Sequence, residues 1–130
     1  RLTLALDIMG GDNGPHIIYP AILSALQQTS HLHFILCGPL EIMSEWLGKQ
    51  TSNIQSRVTL FDCPQNVAMD EAPAHALRHK KNSSMRRMLD LVGSGQADAC
   101  VSGGNTGALL SMAYYVLKTL PGIDRPALIT

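Results

Sequence analysis

The sequence has no excess of charge of either sign: ten Lys and Arg balance ten Asp and Glu across 130 residues. Zero formal net charge gives no broad pull toward nucleic acid or an anionic membrane, so any functional charge has to be local. Cysteine is scarce. Cys37, Cys63 and Cys100 are widely spaced and form no paired metal-ligand motif, which suits apolar fillers in a reducing cytosol better than a disulfide framework. No cationic leader precedes an apolar stretch and cleavage site, so the expected location is cytoplasmic. The apolar run from Ala108 to Leu117 is broken by Ser111 and is far shorter than the roughly 20 residues a bilayer crossing needs. Neither a P-loop nor a Gly-x-Gly-x-x-Gly fingerprint occurs, which argues against ATP and a Rossmann-type dinucleotide. No Ser-His-Asp order or activated Cys stands out. An enzyme built from this chain would therefore position a bound anion and not supply its own nucleophile.

What is present is an alternation of apolar runs and amphipathic segments. Leu2, Leu4 and Leu6 mark an opening strand that ends at Asp7. Ile18, Ala21, Ile22, Ala25 and Leu26 recur at helical spacing, and Pro20 predicts that the regular helix begins close to it. His33 to Cys37 reads as a second strand, Glu41 to Leu47 as a helix and Arg57 to Cys63 as a third strand. A polar connection from Pro64 to Pro73 carries Asp70 and Glu71. Ala74 to His79 reads as a short helix, and Ser83 or Ser84 caps a firmer one that buries Met85, Met88, Leu89 and Val92 and ends at Gly93 and Gly95. A fourth strand, Ala99 to Val101, follows. This order implies βαβ units: an α/β fold with an open parallel sheet and helices on both faces. The size suits a single domain, residues 1–130. Both ends read as cut, with a strand beginning at Ala127, so a larger parent is expected.

Two glycine-rich loops leave the carboxyl ends of strands, where ligands gather in open parallel sheets. Ser102-Gly103-Gly104-Asn105-Thr106-Gly107 turns from the fourth strand into a helix. Its glycines let backbone approach a ligand, and a helix start favours an anion. Capping and chain reversal alone would also explain these residues. Asp7 to Pro15, with Gly10, Gly11 and Asp12, is the second loop. Asp7 and Asp12 could hold Mg²⁺, act as acid and base, or tie the loop through Asx hydrogen bonds. Lys80, Lys81, Arg86 and Arg87 bracket Ser83 and Ser84 at a helix start, either as a phosphate-handling loop or as a solvated face. His75 and His79, four apart, share a helix face, but the metalloprotease Glu is missing and no metal site is expected.

Asp7-Ile-Met-Gly-Gly-Asp12 with Gly14-Pro15, Lys81-Asn-Ser-Ser-Met85, Gly95-Gln-Ala-Asp98, Val101-Ser-Gly-Gly-Asn-Thr-Gly-Ala108 and Arg125-Pro126-Ala127, in that order, resemble bacterial PlsX-type phosphate acyltransferases, specifically their N-terminal part. One departure stands at Gly103, where the family commonly has Ala; it adds backbone freedom and removes no polar group.

The resemblance implies a fold similar to isocitrate and isopropylmalate dehydrogenases, and transfer of a fatty acyl group from an acyl carrier protein thioester to inorganic phosphate for phospholipid synthesis. It further implies a cytoplasmic homodimer with peripheral membrane association, no metal or nucleotide cofactor, and a glycerol-3-phosphate acyltransferase acting downstream. On that basis Ser102, Gly103, Gly104 and Gly107 hold phosphate, Asn105 and Thr106 orient it, and Asp7 or Asp12 sets its protonation or fixes the neighbouring loop that carries Gly10 and Gly11. Lys81, Ser83 and Ser84 contact phosphate or the phosphopantetheine arm. The chain alone is expected to be inactive. A phosphotransacetylase-like enzyme using acyl-CoA and a non-catalytic phosphate-binding module are the alternatives.

Overall fold

The computed structural model describes residues 1–11 and 14–117. Asp12, the Arg125-Pro126-Ala127 motif and the strand expected from Ala127 lie outside the described residues. In chain order the elements are β1 (Leu2–Asp7), α1 (Pro15–Gln28), β2 (Leu32–Gly38), α2 (Leu40–Gly48), α3 (Ser52–Ser56), β3 (Val58–Asp62), α4 (Pro73–His79), α5 (Ser84–Gly93), β4 (Ala99–Val101) and α6 (Thr106–Leu117). The four strands are parallel, in the order β3-β2-β1-β4.

Side-chain alternation along the strands divides the core in two. Leu6 of β1 and Phe34 and Leu36 of β2 face one layer, packed with Ile22 and Leu26 of α1 and Met43 of α2. Ala5, Ile35 and Cys37 face the other, against Met85, Met88 and Leu89 of α5 and Ala108 and Met112 of α6. The sheet thus has helices on both faces, as the alternating elements imply. Cys37 and Cys63 are buried fillers and all three cysteines are free. Asp98 joins the approach to β4 onto β1: its Oδ2 accepts from Thr3 N–H at 2.8 Å, and its own N–H donates to Thr3 O at 2.8 Å.

Two local expectations need correction. The first helix begins at Pro15, not near Pro20; Pro15 occupies the first turn and Pro20 lies inside the helix. A first-turn proline is preorganised for helix, while Pro20, on the exposed side of α1, forfeits one backbone bond without ending it. The one-turn α3 was not anticipated; Thr51 caps it by accepting from Ile54 N–H, and five residues are too few to show a helical period.

Beyond α1 the described residues leave the sheet open toward β4. A mainly apolar groove of about 320 Å³ runs there, lined in part by Leu4, Leu6, Ile17, Ala21 and Val101. No helix among the described residues is long and apolar enough to cross a membrane.

Met88 has no exposed surface and sits in the layer between the sheet and α5. Met88→Ala is expected to lower unfolding stability by about 2–5 kcal/mol, the usual range for a large-to-Ala core truncation, read as a lower midpoint in urea unfolding.

Candidate functional site

The strand order fixes where a ligand has room. From β1 the chain builds outward through β2 and β3, then returns to place β4 on the other side of β1. The reversal lies between β1 and β4, and in open α/β sheets the crevice beyond the carboxyl ends at such a switch point takes ligands. The two glycine-rich loops leave β1 and β4 at that place.

Asp7 closes β1 and is 3% exposed. Its side chain is on the same face of the sheet as Ala5, toward α5. Ser84 Oγ, at the start of α5, donates to Asp7 Oδ1, and Met9 N–H donates to the same oxygen at 3.1 Å. Ser102 Oγ donates to Oδ2 at 2.8 Å and accepts from Gly104 N–H at 3.1 Å. One carboxylate therefore joins the loop after β1, the start of α5 and the turn after β4. No Lys, Arg or His pairs with it among the described residues.

The two glycine loops meet backbone to backbone. A Cβ on Gly10 would lie 2.8 Å from Ser102 Oγ, 2.9 Å from Asp7 Oδ2 and 2.9 Å from Gly104 N. Such contacts are shorter than carbon can tolerate, so this approach requires glycine. Gly103, in contrast, is exposed and has room for a side chain.

Asn105 is the N-cap of α6. Its Oδ1 accepts from Ala108 N–H at 3.1 Å, a side-chain cap on a helix start. Its Nδ2 donates to Ala68 O at 3.0 Å and Glu71 O at 2.7 Å. With that amide fully engaged, Asn105 fixes the turn from behind. The Thr106 and Gly107 N–H groups have no acceptor among the described residues, as expected of a helix's first turn. Thr106 is exposed. Gly107 also lets α4 pack close, since a Cβ there would come within 2.9 Å of Pro73 Cγ.

The serine pair lies inside the protein. Ser83 caps α5 by accepting from Arg86 N–H at 3.2 Å and donates to Lys80 O at 2.6 Å; Ser84 is 1% exposed and bound to Asp7. The basic cluster splays apart around them. Lys80 Nζ meets Glu71 at 3.5 Å and donates to Asn66 O at 2.9 Å. Arg86 and Arg87 share Asp90, and their guanidinium groups lie over the rings of Tyr115 and Phe61. Lys81 stands exposed.

Glu71 is the residue that sequence reasoning passed over. Burial pushes its carboxyl up, but hydrogen bonds from His75 and Ala68 N–H and the charge of Lys80 outweigh that and hold it below the usual carboxylate range. Its place in a polar connection next to Pro73 was the available signal. His75 and His79 do lie together, ring centroids 4.7 Å apart. However, His75 Nδ1 is turned to Glu71 at 2.9 Å, and no group of three or more His, Cys, Asp or Glu among the described residues is placed to hold a metal. Cys37, beside Asp7 in the sheet register, is kept a neutral thiol: its hydrogen bond with Cys63 and then its burial push it up. Burial raises Cys100 to about 11.

The site is thus a water-facing turn with helix-start amides at its front and, behind it, a buried carboxyl group with no cation partner among the described residues, suited to holding an anion.

The model of a family described as fatty acid synthesis protein matches residues 2–130. The chain is 55% identical over 130 residues to a phosphate acyltransferase of Pseudoalteromonas atlantica, covering all of this chain and 38% of that relative. Phosphate acyltransferases of Halorhodospira halophila and Shewanella baltica are each 52% identical, with the same coverage. The chain therefore spans 38% of the length of these relatives.

The glycine contact makes a paired prediction. Gly10→Ala pushes a methyl group into Ser102, Asp7 and the Gly104 backbone and is expected to lower stability by about 1–3 kcal/mol, as overpacking does. Gly103→Ala, with room for the methyl, should stay within about 0.5 kcal/mol. Thermal melting of both variants checks the difference.

Proposed function

We propose an activity for this chain, which belongs to the fatty acid synthesis protein family of PlsX-type phosphate acyltransferases: in the full-length protein, its β1–β4 crevice holds the inorganic phosphate that takes a fatty acyl group from an acyl carrier protein thioester. The observation that carries this reading is the joining of the two glycine loops at the switch point, with the exposed first turn of α6 between them. Oriented amides and the positive end of α6 stabilise phosphate, while Asp7, Ser84, Ser102 and Asn105 hold the turn in shape.

In the reaction a phosphate oxygen attacks the thioester carbonyl carbon. The C–S bond breaks, the thiol carries off the electron pair and a proton, and an acyl phosphate results. The enzyme contributes position and electrostatics; the nucleophile comes with the substrate. Gly103, Thr106 and Gly107 face phosphate, with Gly104 and Gly10 forming the floor beneath them. Gly11 and Asp12 continue the same rim, and exposed Lys81 is available to a second anionic group, the phosphopantetheine arm of the donor. Asn105, Ser83 and Ser84 act as positioning residues, because their side chains are engaged within the protein. The same holds for Asp7, whose oxygens already accept three hydrogen bonds; an acid–base role would need one of these to be given up.

The finer kinship to isocitrate and isopropylmalate dehydrogenases belongs to this proposal and is supported by the parallel sheet with helices on both faces. So do properties proposed for a full-length protein of the relatives' size: carrier-protein docking, a cytoplasmic homodimer, peripheral membrane contact and delivery of acyl phosphate to a glycerol-3-phosphate acyltransferase.

The test is trapping of acyl phosphate as hydroxamate from the full-length protein, with controls lacking phosphate. Product that requires both phosphate and the carrier-protein thioester is expected. Equal or better turnover with acyl-CoA would favour a phosphotransacetylase-like enzyme, and no phosphate-dependent product would overturn the reading. Ser102→Ala should raise the phosphate KM roughly tenfold, equivalent to about 1.4 kcal/mol; unchanged phosphate kinetics would contradict the role given to the turn.

A further inference from the structure

Behind the turn lies a network that neither the family likeness nor the sequence motifs assign. The segment from Ala68 to Glu71 is a closed turn, with Glu71 N–H donating to Ala68 O at 3.2 Å. The Glu71 side chain closes it a second time, Oε1 accepting from Ala68 N–H at 3.3 Å. His75 Nδ1 at 2.9 Å and Lys80 Nζ at 3.5 Å, from the start and end of α4, then fasten that carboxylate. The carbonyls of this turn, Ala68 O and Glu71 O, are the two acceptors of the Asn105 amide. Asn105 Oδ1 in turn caps Ala108 at the start of α6.

We propose that Glu71 is a positioning residue for the anion-binding turn: its carboxylate fixes the Ala68–Glu71 carbonyls, these hold Asn105, and Asn105 sets the first turn of α6 in its phosphate-binding geometry. The inference rests on the reading of that turn as the phosphate site. Charge-assisted hydrogen bonds on a side chain with little exposure hold geometry well. Asp70 and Met69, between the two carbonyls, are both exposed, so the turn has little packing of its own and depends on Glu71 for its shape. The same chemistry explains why the acid precedes Pro73. Pro73 starts α4, and four residues after Glu71 the first helical turn presents His75 back to it.

The experiment uses the full-length enzyme, with Glu71→Gln, Glu71→Ala, Asn105→Ala and the Glu71→Ala/Asn105→Ala double variant. Phosphate KM, kcat and hydrogen exchange of the Ala108 amide are measured for each. Glu71→Gln keeps the size and one acceptor and loses the Lys80 ion pair; it is the informative variant if Glu71→Ala does not fold. The expected result is a phosphate KM raised about three- to tenfold with kcat within about twofold, and faster exchange at Ala108. In the double variant, Glu71→Ala should add little to Asn105→Ala, since residues acting in series are non-additive. Unchanged KM and unchanged Ala108 exchange in a folded Glu71 variant would overturn the inference and leave the phosphate reading standing, as would fully additive effects. A wild-type rate independent of phosphate would overturn both.

Discussion

The structure depends on a buried carboxyl group that no cation among the described residues pairs with. Asp7 is 3% exposed, and what solvates it are two serine hydroxyls and one backbone N–H. A carboxylate removed from water is tolerated only when its lone pairs are satisfied, so the donors must come to it. Ser84 comes from the start of α5, Ser102 from the turn after β4 and Met9 from the loop after β1. Three segments distant in sequence are therefore set by one side chain. Had a lysine or arginine supplied the compensation, one partner would have sufficed and the loops would be less constrained.

From that centre the geometry of the turn follows outward. Ser102 cannot reach Asp7 unless the two glycine loops touch, which is why Gly10 has no space for a Cβ. Gly104 donates to Ser102, and Asn105 then begins α6 under a cap of its own. On the inner side the side chains of Asp7, Ser84, Ser102 and Asn105 are spent on protein partners. On the outer side the first amides of α6 lack such partners among the described residues. In the proposed function this asymmetry separates groups that shape the site from groups that would meet phosphate, with most of the polar side chains near the turn given to shaping.

Much of the architecture was legible because it follows from periodicity. The alternation of apolar runs with helical patterns specified a parallel sheet covered on both faces, and the positions of Asp7 and Ser102 at strand ends placed two loops in one crevice. Residue roles were less legible. Ser83 and Ser84 between cations look like a surface anion loop, yet the register of α5 turns both inward; a sequence window shows the cap but not which strand end it faces. The same window shows four cations and not the carboxylates, Glu71 and Asp90, that engage three of them. Glu71 was unremarkable for a related reason. Its effect on α6 passes through its own backbone carbonyl, and no side-chain pattern encodes that. Pro20 misled because proline penalises a helix interior by a finite amount, and α1, with Ile22 and Leu26 buried in the core, has packing to offset it.

The central claim is that the turn between β4 and α6 holds inorganic phosphate with its backbone. Titrating phosphate into isotope-labelled full-length protein, and following amide resonances by nuclear magnetic resonance, tests it most directly. Saturable shifts concentrated at Gly103, Thr106 and Gly107, with the buried Met88 and Leu89 amides unmoved, are the predicted result. A saturable response located elsewhere, or none at this turn in a protein that turns over phosphate, would contradict the account.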